Sequence, residues 1–254
     1  MHRHLALPAA LFCFAVSLPG YSAELRFQSG PARVTLVELY TSEGCSSCPP
    51  AEAWLNGLEN APGLWREFVP VAFHVNYWDH LGWKDALASR SFTDREHAHA
   101  SAWRAASVYT PCFVRNGEEW RPRDDAVVTR GKEDAGGLVL RWRAADSTCV
   151  VEYTPAAGTA ATTGSHLEVS VVLLGGGIAT EVRRGENSGR TLRHEFVALR
   201  WEARALAAGS GGVRTATLVL PPRSDLAAPR RALAAWVTRR GSLAPLQAVG
   251  GWLE

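Results

Sequence analysis

Cys45 and Cys48, separated by two serines, are the pair in this sequence whose type and spacing most directly suggest chemistry. The run Val34–Tyr40 is β-branched and apolar, as a buried strand is, and Thr41–Gly44 reads as a turn. From Ala51 the apolar spacing through Trp54, Leu55 and Leu58 becomes helical. Pro49 and Pro50 then fall in a first helical turn, where a missing amide costs little. A thiol at a helix N-terminus is favoured as thiolate by the unpaired amides and the helix dipole. The second thiol is close enough to attack a mixed disulfide and release it. That arrangement makes Cys45 a nucleophile and Cys48 its resolving partner. The same pair can also serve as a permanently oxidised staple or as half of a metal site. No second C-x-x-C occurs, which disfavours a zinc ribbon built on four cysteines.

Other residues are candidates by position. His74 and His80 flank Asn76–Asp79 at the carboxyl end of a second apolar run, Phe68–Val75, where sites gather in open α/β sheets. Two thiolates and the His74 imidazole form a donor set acceptable to copper, against the plainer reading of His74 as a strand residue. Trp78, with Tyr77 and Trp83, offers an apolar wall beside the dithiol, or simply packs its own loop. His97 and His99, two apart on a helical stretch, cannot share a face and are expected in solvent. Cys112 and Cys149 are expected to bridge the two halves of the chain, because unpaired thiols are a liability in an oxidising compartment. The alternative is transient pairing of Cys112 with the Cys45–Cys48 pair. Glu186–Arg190 is expected to be a plain polar hairpin turn.

The elements that must position these residues alternate in the first half. A helix over Phe92–Arg104 follows the second strand, and Tyr109–Arg115 and Glu118–Trp120 form a hairpin around Asn116-Gly117. A closing helix is expected from Asp124 to about Ala135, giving the order β-α-β-α-β-β-α. From Gly136 the pattern changes to short strands: Leu138–Arg143, Cys149–Tyr153, Leu167–Leu174, Ile178–Arg183, Arg193–Trp201, Val213–Leu220 and Ala232–Thr238. Such spacing with glycine- and proline-rich turns indicates a β-sandwich or related domain. The expected organisation is an α/β domain over 32–135 and a mainly-β, sandwich-like domain over 136–254.

Composition sets the compartment and narrows the partners. The 254 residues carry 27 basic and 25 acidic side chains, a balance that argues against nucleic acid or anionic lipid held by bulk charge. Met1–His4 is basic, Leu5–Leu18 is apolar and uncharged, and Pro19–Ala23 is a helix-breaking, small-residue end. This is the layout of a signal peptide over 1–23, cut after Ala23, which implies a periplasmic or secreted protein with no stable membrane anchor. Cleavage removes Cys13 and leaves four cysteines for an oxidising environment.

The segments VELYTSEGCSSCPPAE, FHVNYWDHLGWKD and VYT-P, together with RGENSGRTLRHEFVALRW, resemble an exported bacterial thioredoxin-like family of unknown function. The resemblance implies a thioredoxin-like N-terminal domain in which Pro111 is cis beside the C-x-x-C. It also implies that Thr110 presents its backbone to a substrate peptide, and that Glu38 is either a buried acid beneath the dithiol that accepts a proton or a mark of the strand's polar edge. Cys112 departs from the family pattern, which has a glutamine-like polar residue there. The expected function is thiol–disulfide exchange with protein thiols or disulfides and no bound cofactor. The alternatives are a copper-binding or copper-delivery protein using Cys45, Cys48 and His74, and an inert interaction module whose C-x-x-C is structural.

Overall fold

The structure, a computed structural model, describes residues 24–122, 128–158, 166–221 and 225–253. The signal-peptide reading of 1–23 lies outside the described residues, as does part of the expected helix over 124–135. Residues 128–135 contain no helix.

In the first half β1 (Glu24–Gln28) precedes β2 (Thr35–Thr41), α1 (Pro49–Gly57), β3 (Phe68–His74), α2 (Arg90–Trp103), β4 (Cys112–Arg115) and β5 (Glu118–Trp120). The second half begins with β6 (Gly137–Arg143), β7 (Thr148–Thr154), β8 (Leu167–Gly176), β9 (Ile178–Glu181) and β10 (Thr191–His194). It closes with β11 (Val197–Ala205), β12 (Ala207–Ala208), β13 (Arg214–Val219), β14 (Arg230–Arg239) and β15 (Pro245–Trp252). Every residue of β2 and β3 is buried, as their largely apolar sequences demand of central strands, and this burial includes Glu38 and His74. Asn116 and Gly117 both take positive φ in the β4–β5 hairpin, as an Asn-Gly turn requires.

The sheet order overturns the expected fold class of an α/β thioredoxin-like N-terminal domain followed by a separate sandwich-like one. The described chain is mainly β, 45% strand and 15% helix, with two α-helices and three sheets. One eight-stranded sheet runs β15-β14-β8-β11-β3-β2-β4-β5, so strands from both halves form a single hydrogen-bonded layer. The expected boundary between 32–135 and 136–254 runs through that layer. The join lies where β11 meets β3 in parallel, at Val197 opposite Ala72, with the Ala72 amide donating to the Phe196 carbonyl at 2.8 Å. A five-stranded antiparallel sheet, β1-β6-β7-β13-β12, and the β9–β10 pair complete the β structure.

Among the described residues the layout makes four apolar cores, the smallest of them Leu87, Ile178, Val197 and Leu199. Between the two larger sheets, Leu140, Val151 and Leu218 pack against Val171, Leu173, Leu233 and Val249. On the same face of the eight-stranded sheet, but at its β2–β3 end, α1 buries Leu55 against Val37, Leu39 and Phe196. The opposite face holds Tyr40, Phe73, Val172, Ala234 and Trp236, with Phe92 of α2. The missed strand β15 carries Gly250 and Gly251 because Trp65 and Phe27 press on its backbone. A Cβ at Gly251 would sit 2.3 Å from the Phe27 ring.

Candidate functional site

β2 delivers the chain to a turn at Ser42–Gly44, and Cys48 then caps the N-terminus of α1 with Pro49 and Pro50 in its first turn. A disulfide joins Cys45 to Cys48, with their Cα atoms 5.5 Å apart. The Cys45 sulfur lies 3.8 Å from the Thr110 carbonyl oxygen and 3.4 Å from the Ser47 hydroxyl. The Thr110–Pro111 peptide is cis. Trp78 reaches the same place: its indole N–H donates to the Thr110 hydroxyl at 2.7 Å. Cys45, Cys48, Thr110 and Trp78 are therefore brought together. A groove of about 500 Å³ opens beside them, lined by Ser47, Pro50, Trp54, Tyr109, Pro111 and Trp120.

Glu38 is not part of this group. Its side chain lies on the α2 face, where Arg95 donates to it at 2.7 and 3.0 Å and the Tyr40 hydroxyl donates at 2.9 Å. Burial alone would raise its pKa, but the Arg95 guanidinium and His99 overcome that and hold the carboxyl far below its ordinary value. The carboxylate is thus paired with Arg95 and Tyr40 on the α2 face. His99, expected in solvent, is buried 3.5 Å from Glu38. The expected Cys112–Cys149 bridge is also absent, because the two thiols occupy cores on opposite faces of the large sheet. Burial pushes both thiols up to about 12, so neither ionises at neutral pH.

The segment expected to be a plain turn does more. Asn187 is fully buried, and its amide donates to the carbonyls of Glu43 and Cys45, both at 2.9 Å. Arg190 donates to the Asn187 carbonyl oxygen at 2.9 Å. The Ser46 amide donates to the Glu186 carboxylate at 3.0 Å, and the Ser46 side chain together with this amide lowers that carboxyl's pKa. A loop from the second half of the chain thus covers the dithiol. Cys45 is 1% exposed and Cys48 is 0% exposed.

Behind the dithiol lies a buried cluster in which only His74 was a sequence candidate. His74 Nδ1 meets Asp85 at 2.7 Å, and its ring sits 5.1 Å from that of His194. His194 lies between two carboxylates, with Nδ1 at 2.5 Å from Glu52 and Nε2 at 3.2 Å from Glu43. Burial disfavours an imidazolium, yet Glu43 and Glu52 push the His194 pKa up to about 10. Glu52 follows Cys48 by one helical turn, a spacing visible in the sequence. His194 lies on a strand remote in sequence and carries no such signal. Among the described residues the ligand atoms drawn together are those of Glu52, His74 and His194, while Cys45 and Cys48 are joined to each other.

Glu96 is a further buried acid, 3.5 Å from the Tyr77 hydroxyl, with one carboxylate oxygen unpartnered. Burial pushes its pKa up to about 7, and contacts with Tyr77 and the Tyr109 backbone only partly offset this. The unfolded carboxyl ionises near 4.5, so between 4.5 and about 7 the folded chain holds more protons and loses stability as pH rises. Glu96→Gln is expected to be more stable than the parent at pH 8 by about 1–2 kcal/mol, with the gain vanishing towards pH 4.5. Urea unfolding at the two pH values measures this, and an equal effect at both would refute it.

Among the described residues no helix is long and apolar enough to cross a membrane. No curated protein matches the chain. Two solved structures share its fold. One is a protein of Agrobacterium tumefaciens, 22% identical with a TM-score of 0.59, covering 86% of this chain and 94% of that one. The other is HBP35 of Porphyromonas gingivalis, 13% identical with a TM-score of 0.60, covering 88% of this chain and 76% of that one. A family model described as a protein of unknown function, DUF1223, matches residues 36–238, a span that includes the dithiol, the covering loop and the buried histidines alike, and the chain belongs to that family.

Proposed function

We propose that the protein carries out thiol–disulfide exchange through Cys45 and Cys48, acting on protein thiols or disulfides outside the cytoplasm. The observation that carries this reading is a disulfide at the N-terminus of α1 with the Thr110 carbonyl and an aromatic-lined groove beside it. In the exchange, a substrate thiolate attacks Cys45 Sγ, the Cys45–Cys48 bond breaks and Cys48 departs as thiolate. A second substrate thiol, as thiolate, then attacks the mixed disulfide and releases Cys45. The substrate leaves with one new disulfide and the protein keeps two thiols. The reverse sequence reduces a substrate disulfide. The α1 dipole favours the thiolate formed at its N-terminus, while Pro49 and Pro50 offer no N–H and the Ala51 and Glu52 amides already bond the Cys48 carbonyl.

Titration of the chain cut after Ala23, and so without Cys13, against glutathione tests the proposal. The Cys112 and Cys149 thiols, buried and un-ionised, stay silent. A reversible transition between about −120 and −270 mV is expected, the range of working oxidoreductases. A potential below about −300 mV would make the bond a structural staple and remove the proposed activity.

A further inference from the structure

We propose that Glu52, His74 and His194 form a buried binding site for one Zn²⁺ ion, separate from the dithiol. One ligand atom from each of the three residues lies within 4.8 Å of the other two, and His194 Nδ1 and Glu52 Oε2 are 2.5 Å apart. Zinc bonds of about 2.0–2.1 Å place tetrahedral ligands roughly 3.3 Å from one another, inside that range. Two imidazoles and one carboxylate are also a donor set that zinc accepts with a fourth position left open.

What distinguishes this group from an ordinary buried ion pair is how each member is held from behind. His74 Nδ1 is occupied by Asp85 at 2.7 Å, while its Nε2 is fully buried with no partner. His194 Nε2 lies 3.2 Å from Glu43, which leaves Nδ1 facing Glu52. Glu52 Oε1 accepts from the Thr41 hydroxyl at 2.5 Å, which leaves Oε2 facing His194. Glu43 is itself fixed by the Trp83 indole N–H at 2.7 Å, and Asp85 by the amides of Glu43 and Leu87 at 2.9 and 2.8 Å. A carboxylate bonded to the far nitrogen, as Asp85 is to that of His74, orients an imidazole and raises its basicity toward a metal, and Glu43 lies 3.2 Å from the far nitrogen of His194.

Charge points the same way. Ligation displaces the proton that His194 shares with Glu43 and Glu52, and Glu43, Glu52 and Asp85 then leave three buried negative charges. A divalent cation offsets two of them where water cannot. Because Glu52 is on α1, His74 on β3 and His194 on β10, the ion would fasten the helix that carries the dithiol to strands of both halves.

The test uses the full chain with its disulfide intact, so that no Cys45 or Cys48 thiolate is available. The protein is unfolded in chelator, refolded with and without Zn²⁺, and then assayed for bound metal and thermal midpoint. Co²⁺ is substituted as a spectroscopic probe. We expect one equivalent of Zn²⁺ per chain, a raised midpoint, and a Co²⁺ spectrum without sulfur-to-metal charge transfer. His74→Gln and His194→Gln should abolish stoichiometric binding, and Asp85→Asn should weaken it by about 10–100-fold. Absence of binding by the oxidised chain, a sulfur charge-transfer band, or full binding by both histidine variants would overturn the site. If a variant fails to fold, the parent titration and cobalt spectrum decide. Neither depends on the redox potential of the dithiol, so the site and the exchange activity stand or fall separately.

Discussion

Arg95→Leu is expected to destabilise the protein by about 3–5 kcal/mol, because it strands the Glu38 carboxylate in the core. Glu38 is fully buried, and Arg95 gives it two charge-assisted hydrogen bonds of 2.7 and 3.0 Å. The same guanidinium lies over the rings of Phe73, Trp201 and Trp236, 5.1–5.7 Å from their centroids. Those rings come from β3, β11 and β14, so one side chain of α2 contacts strands from both halves. The stability that ionised Glu38 supplies is complete above its unfolded value near 4.5 and is lost as pH falls towards its much lower folded value. In Arg95→Leu this acid dependence should invert, since an unpaired buried carboxylate gains by protonation. Converting both partners to apolar residues should recover more than half the loss. Urea unfolding of the single and double variants at pH 5 and 7 measures each effect. A loss under 1 kcal/mol for Arg95→Leu would mean that Glu38 is solvated and that α2 is held by its apolar contacts alone.

The same helix shows what a sequence can and cannot disclose. The helix expected over Phe92–Arg104 is formed by Arg90–Trp103, but its buried face holds Arg95, Glu96 and His99 beside Phe92. Hydropathy assigns such residues to solvent, and only the remote Glu38 explains Arg95. The C-x-x-C, the strand before it and the helix after it were legible because their physics is local. The layer joining the halves was not, since its junction is one register pair, Val197 with Ala72. Arg193–Trp201 reads as a single alternating strand. Phe196 at φ 58° breaks it, so that β10 pairs with β9 while β11 enters the large sheet. Asn56 of α1 holds the break, donating to the Arg193 carbonyl and accepting from the Glu195 amide. No alternation signal marks that break, and it is the break that places His194 against Glu52.

Asn187→Ala is expected to speed reduction of the Cys45–Cys48 disulfide by dithiothreitol by roughly 5–150-fold. A thiolate must approach along the S–S axis, and with both cysteines almost wholly covered the covering loop has to open first. Asn187 holds the closed form by donating both amide protons to carbonyls of the motif. Its removal takes the Asn187 bond from the buried Glu43 carbonyl and leaves the Cys45 carbonyl with the Cys48 amide alone when the loop is closed, whereas water reaches both when it is open. A penalty of about 1–3 kcal/mol on the closed form raises the open population by the stated factor. Glu186→Ala, which removes one surface contact to the Ser46 amide, should change the rate only a few-fold. A parental rate in Asn187→Ala would mean that the sulfur is reached without loop motion. The expected acceleration would mean that the second half of the chain controls access to chemistry carried by the first. That coupling accounts for strands of both halves sharing one sheet, since a loop positioned by a loosely tethered domain could not keep two 2.9 Å hydrogen bonds on the motif it covers.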